Sequence, residues 1–129
     1  MPNETKRVMK LLRAATEKEV KKLVLAIHSD LVIETPVDTG WASNNWVLTI
    51  GTFSPDPLGT RENFSTAQMN DGLSSLLNWK VDKGTIYITN NVPYISFLNE
   101  GTSMQAPPGY VDAIIQRRVD EFNAKGNIE

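Results

Sequence analysis

Residues 4–34, ETKRVMKLLRAATEKEVKKLVLAIHSDLVIE, run directly into Thr35-Pro36-Val37-Asp38-Thr39-Gly40, and the reading of this stretch decides the fold. Its apolar positions Val8, Leu11, Leu12, Ala15, Val20, Leu23, Val24, Ile27 and Leu31 recur at steps of three and four, with Lys and Glu between them. That is the period of one long amphipathic helix, about 45 Å if unbroken at 1.5 Å per residue. Proline pushes the residue before it out of helical geometry, so Thr35-Pro36 predicts an end near Glu34. Asp38 and Gly40 then predict a turn: the aspartate side chain bonds nearby backbone, and glycine supplies a positive φ that other residues resist.

Outward from this helix the pattern changes period. In residues 44–52, Trp46, Leu48 and Ile50 fall on one face and Val47 and Thr49 on the other, as in a strand with one apolar side. Residues 52–64 hold two prolines and a glycine and read as an exposed loop. Ser65-Thr66-Ala67-Gln68 has capping-box spacing, and Phe64 can staple onto Met69, so a helix is predicted through Leu73, Leu76 and Leu77 to about Trp79. Gly72 weakens it by ~1 kcal/mol relative to alanine. Residues 85–91 alternate Ile86 and Ile88 against Tyr87 and Thr89 as a second strand. Pro93 suits the start of a short helix bearing Tyr94, Ile95, Phe97 and Leu98, and Gly101 its left-handed stop. Residues 102–109, TSMQAPPG, read as a stiff extended arm on the surface. Tyr110, Val111, Ile114, Ile115, Val119 and Phe122 outline a last amphipathic helix. The expected fold is a single α+β domain over residues 1–129, its long N-terminal helix and C-terminal helix packed on a small antiparallel β-sheet. Two strands are marginal alone, so helices must cover them or neighbouring copies extend them.

Thirteen basic against fifteen acidic side chains give a net charge of −2, so the chain as a whole lacks the electrostatic footprint of a nucleic-acid binder. The absence of cysteine excludes disulfides, thiolate metal sites and cysteine nucleophiles. With neither a signal peptide nor a membrane span visible, the protein is expected to be made in a cytoplasm and used there or packed into an assembly.

Asp38-Thr39-Gly40 is the signature tripeptide of aspartic proteases, which makes an Asp38 hydrolase one alternative reading. Such an enzyme would carry the aspartate in a loop after an apolar strand, two copies sharing a proton; here a helix pattern precedes it, and a turn is the better account. His28 has no partner at helical spacing, Asp30 lying two residues on, and reads as a partly buried or flank histidine. Asp30 and Glu34 stand at i and i+4 and read as solvated acids, with no further ligands at metal spacing. The basic run Lys6, Arg7, Lys10, Arg13, Lys18, Lys21 and Lys22 reads as a solvated face; a DNA-contacting adaptor is the second alternative. Trp41, Trp46 and Trp79 are the candidates for a base-stacking platform; Trp46 reads as core, and Trp41 is the more exposed candidate. No catalytic, cofactor-binding or metal-ligating residue is assigned, and no cofactor is expected.

Taken in order, TPVDTG after a long helix, ITNNVPYISFLNEG, and TSMQAPPGYV leading into a final helix resemble the minor tail component or tail-completion family of long-tailed bacteriophages. The likeness covers roughly residues 4–122. It assigns Thr35, Pro36, Val37, Asp38, Thr39 and Gly40 to the family's turn, Asn91, Pro93 and Tyr94 to its middle element, and Glu100, Gly101, Ser103, Gln105 and Pro107 to its arm. Met104 joins these last two groups as a candidate assembly contact. The chain departs from the pattern in following Gly40 with Trp41-Ala42-Ser43, where many members carry a small or aliphatic residue and then a basic one. What the resemblance implies is a non-catalytic virion protein of the neck that completes the tail or joins it to the head. It implies a ring of copies, a hexamer, as self-partner. The other implied partners are the head connector or stopper and the tail terminator or tail tube, with passing contact with packaged DNA and none with membrane.

Overall fold

The computed structural model describes residues 3–37, 39–65, 67–101 and 106–125. Its elements in chain order are α1 (Asn3–Glu34), β1 (Val47–Ile50), α2 (Ala67–Leu77), β2 (Ile86–Thr89), α3 (Ile95–Asn99) and α4 (Tyr110–Ala124). The architecture is α+β, with the long first helix, the last helix and a two-stranded antiparallel sheet as expected.

Alternation along β1 and β2 decides how the sheet is covered. Val47 lies opposite Thr89 and Ile50 opposite Ile86, a register that puts Leu48, Ile50, Ile86 and Ile88 on one face. That face closes against Leu73, Leu76 and Trp79 around α2 and against Val20 and Val24 of α1. A second packed group joins Leu31 of α1, Trp46, Ala106, Tyr110 and Ile114. A third joins Trp41, Ala42 and Val92 with Phe64 and Tyr94. Ile95 and Leu98 of α3 border both, so this short helix welds them into one core.

Both strands are shorter than the sequence pattern, and at β1 the cause is local. Before β1 the chain makes a turn in which the Asn44 N–H donates to the Gly40 carbonyl (3.0 Å) and the Asn45 N–H to that of Ala42 (3.1 Å). The Asn44 and Asn45 amides also donate to nearby carbonyls, so backbone that the pattern gave to a strand is bonded elsewhere. Helix α2 stops at Leu77 rather than Trp79 because the Lys21 ammonium of α1 takes the Leu77 carbonyl at 2.9 Å, and the Trp79 indole N–H turns to Gly84.

Gly72, which reads as a weak point of α2, is required there. A Cβ built on it would lie 2.3 Å from the Leu48 carbonyl oxygen, so helix and strand backbones meet without a side chain between them. Gly101 is held similarly, its φ of 93° combined with a Cβ position 2.6 Å from the Pro108 ring. Among the described residues, no helix is long and apolar enough to cross a membrane.

Helix propensity alone makes Gly72→Ala stabilising by ~1 kcal/mol. The backbone clash reverses the sign: the variant is expected to lose ~1–3 kcal/mol in a urea melt, as overpacked cores do. A melt in which Gly72→Ala is more stable than the parent would show that α2 does not sit this close to β1.

Candidate assembly interface

Two of the motifs singled out in the sequence, the turn after α1 and the third motif, meet around the hydroxyl of Thr35, and α3 packs on the same cluster through Ile95 and Leu98. Thr35 is buried just past the last turn of α1. Its Oγ1 donates to the Leu31 carbonyl at 2.6 Å and accepts from the Trp46 indole N–H at 2.8 Å and the Tyr110 hydroxyl at 3.2 Å. One side chain therefore ties the end of α1, the entry to β1 and the start of α4. Pro36 is buried beside it, and a cleft between this turn and the start of α4 is lined by Ile33, Val37, Ala106 and Pro107.

The middle element works as a set of clamps. The Asn91 amide donates to the Ser54 carbonyl at 2.6 Å, and the Asn90 amide to that of Ala42 at 2.9 Å. Tyr94 packs its ring against Trp41 with centroids 6.1 Å apart. Trp41, expected to be the exposed tryptophan, is 9 % exposed, and its indole N–H donates to the Leu58 carbonyl at 3.0 Å. It is a core residue because the loop folds back over it. Asn45 fixes that loop: fully buried, it donates to the Leu58 carbonyl and accepts from the Leu58 N–H at 2.6 Å.

The third motif is anchored at both described ends. The Asn99 carbonyl accepts from the Gly109 N–H at 2.5 Å, and the Asn99 side-chain oxygen accepts from the Val111 N–H at 2.9 Å. This caps α4 from the preceding helix, where the N-cap Gly109 has no side chain to do so. Ala106 is buried in the core, which corrects the expectation of a surface arm at that position. Pro93, Glu100 and Pro107 remain exposed, while Asn91 and Tyr94 point inward as clamps. Thr39 stays at the surface and accepts from the Trp41 N–H, and Gly40 has a φ of 91°, both consistent with a turn. Asp38, Ser103, Met104 and Gln105 lie outside the described residues.

His28, partly buried or on the flank by sequence, is 3 % exposed, and its Nε2–H donates to the Trp46 carbonyl at 2.7 Å. Asp30 is half-buried and Glu34 stays exposed, and both grip α4. Arg118 binds Asp30 with two N–H groups at 2.6 and 3.0 Å, and Arg117 bridges Asp30 and Glu34 at 3.0 and 2.8 Å. These bonds hold the Asp30 carboxyl below its ordinary range, Arg118 contributing most, and raise both guanidinium groups. Pattern reading missed this because the partners lie 87 and 88 residues away.

The basic run divides at Glu17. Lys6, Arg7, Lys10 and Arg13 lie on residues 4–15, every one of which is exposed, whereas Glu17 is buried and accepts from the Val81 N–H at 2.5 Å. The first turns of α1 thus project as a rod about 18 Å long. Val8, Leu11 and Leu12 on it are 49, 64 and 59 % exposed. No family model matches the chain, and neither a curated protein nor a solved structure matches it.

Thr35→Val leaves two buried donors, Trp46 Nε1–H and Tyr110 O–H, without an acceptor. The expected loss is ~2–6 kcal/mol in a denaturant melt, from ~1–3 kcal/mol for each stranded group, while Thr35→Ser, which keeps the hydroxyl, loses less than half of that. Equal losses for the two variants would remove the hydroxyl from its central place.

Burial holds the His28 imidazole below its ordinary value of 6.5, against a smaller opposing pull from the Trp46 carbonyl. The unfolded chain then takes up a proton at a pH where the folded chain does not, so stability is whole above about pH 6.5 and falls as the pH drops below it. The melting temperature is expected to be lower at about pH 5 than at about pH 7.5, and His28→Gln to flatten that slope. Asp30 acts in a separate window, its contribution lost only as the pH falls below the ordinary carboxylate value near 4. A slope unchanged in His28→Gln would assign the effect to other groups.

Proposed function

We propose that the protein is a structural component of the neck of a long-tailed bacteriophage virion, one copy in an oligomeric ring that completes the tail or joins it to the head connector. The observation that carries this reading is how much bonding surface the fold leaves over. Among the described residues each strand of the two-stranded sheet has one edge without a strand partner, and about a third of α1 stands clear of the body. Such surfaces suit a subunit whose neighbours finish its packing. The convergence of the turn, the middle element and the third motif on one core supports treating the ordered motifs as a single unit, as the resemblance does.

On this reading the motif residues divide their labour. Thr35, Pro36, Gly40, Asn91, Tyr94 and Gly101 hold the end of the subunit in shape. Pro93, Glu100 and Pro107 face outward from it and are the described residues offered to neighbours in the ring or to the connector. Turn geometry at Thr39 and Gly40 fits this reading, in which the tripeptide redirects the chain and hydrolyses nothing.

The test is electron microscopy of a lysate from the phage that carries the gene, with the gene deleted and then restored in trans. Separated full heads and tails, or tails with abnormal ends, are expected in the deletion. A restored Pro93→Glu, Glu100→Lys, Pro107→Glu triple variant is expected to fold and fail to incorporate. Intact infectious particles from the deletion would overturn the reading.

A further inference from the structure

The projecting part of α1 has two faces. Val8, Leu11, Leu12 and Ala15 form one stripe, and Lys6, Arg7, Lys10 and Arg13 occupy the opposite side of the helix. Stepping on from the stripe by three or four residues reaches Glu19, Lys22 or Leu23, Ala26 and Asp30, which is the side of α1 on which α4 lies. Helix α4 runs antiparallel to α1: Tyr110 bonds Thr35 at one end, and Phe122 and Lys125 stand over Glu19 and Leu23 at the other. It ends at Ala124. The apolar stripe is therefore the continuation of a helix-binding face beyond the end of the helix that binds it.

This geometry selects the shape of an occupant. On the same face α4 stands one helix diameter proud of α1, about 8–10 Å between axes, so a flat bilayer laid on the stripe meets the end of α4 first. A rod the width of a helix, lying in line with α4, meets no such obstacle. Nucleic acid has no apolar stripe to offer, and its phosphates suit the basic face on the other side.

We propose that the occupant is the same segment of a second copy, so that two chains pair by antiparallel apposition of residues 4–15 about a twofold axis near Leu11 and Leu12. Three features of the chain favour a copy of itself. The stripe is self-complementary in this arrangement, Val8 of one copy falling near Ala15 of the other. The basic faces point away from the seam on opposite sides, roughly two helix diameters apart, beyond the ~8 Å Debye length of physiological salt. The helix ends are complementary as well: the positive N-terminal end of the incoming α1 arrives at the negative carboxyl end of α4, beside the ion pairs Glu19–Lys22 and Glu121–Arg118. The overlap is short, so the pair is weak and exchanges. It does not depend on the virion reading, and it describes the protein before any larger assembly.

The chain has no cysteine, so introduced thiols report cleanly. Sedimentation of the full chain from micromolar to near-millimolar concentration is expected to show the mass rising from one copy towards two. Leu11→Glu/Leu12→Glu is expected to stay monomeric with an unchanged circular dichroism spectrum and melting temperature. Under mild oxidation Val8→Cys mixed with Ala15→Cys is expected to cross-link, and Val8→Cys alone is not. A chain that stays monomeric throughout overturns the proposal, whether or not it binds phosphatidylglycerol vesicles or duplex DNA. Self-cross-linking of Val8→Cys overturns the antiparallel register.

Discussion

The hydroxyl of Thr35 is the constraint from which the rest of the arrangement follows. It has one proton to give and two lone pairs to accept with, and all are used: Leu31 below it on α1, Trp46 from the strand entry, Tyr110 from α4. Because the site is buried, each partner left unmatched would cost about as much as an ordinary point mutation. The bond set also fixes direction. Pro36 ends the helix immediately after, so the chain must leave α1 at the place where Trp46 and Tyr110 converge on it. A hydrophobic contact at this point would tolerate sliding, whereas these three bonds fix one position.

Below this node α1 behaves as a spine with a polar hook for each element around it. Glu17 holds the Val81 N–H, Lys21 the end of α2, His28 the Trp46 carbonyl, and Asp30 with Glu34 the two arginines of α4. The hooks differ in kind. The His28 bond is buried and stands on desolvation, so its worth depends on the ring staying neutral. The arginine pairs lie near solvent, where exposed ion pairs add at most about 1 kcal/mol each; their contribution is to set the rotation of α4 on α1. Direct backbone contact supplies the remaining tie, through Gly72 against the Leu48 carbonyl.

What could be read from the sequence follows from the range over which each signal acts. The extent of α1 was legible because its period is local and Thr35-Pro36 marks its end, and the face pattern of Leu48, Ile50, Ile86 and Ile88 was legible for the same reason. Strand length was not, because Asn44 and Asn45 spend their amides on the preceding turn, a choice that depends on where Gly40 and Leu58 lie. Gly72 looked like a defect because its partner is a carbonyl in another element. Trp41 looked exposed because polar neighbours surround it in sequence, while Leu58, Val92 and Tyr94 surround it in space. At the candidate interface the motif residues were identifiable as a group, but not which of them face inward: Asn91 and Pro93 are two positions apart, one a clamp and the other exposed.

The two halves of α1 place opposite demands on one helix. From Glu17 onward every turn is held by other elements, so the helix is nucleated there and residues 4–15 need only propagate it, one bond per residue fixed. A segment of that length would be marginal alone, which makes the body the reason the stripe of Val8, Leu11 and Leu12 is presented as a stripe at all. A twofold pair uses the stripe of both copies at once and leaves none of it free, whereas a ring needs an interface that repeats by rotation and leaves each copy able to bind the next. If both readings hold, the same residues cannot serve both states together. Pairing would then compete with ring growth, so that a weak pair, easily opened by a partner offering a longer helix to the same face, is the only kind compatible with assembly.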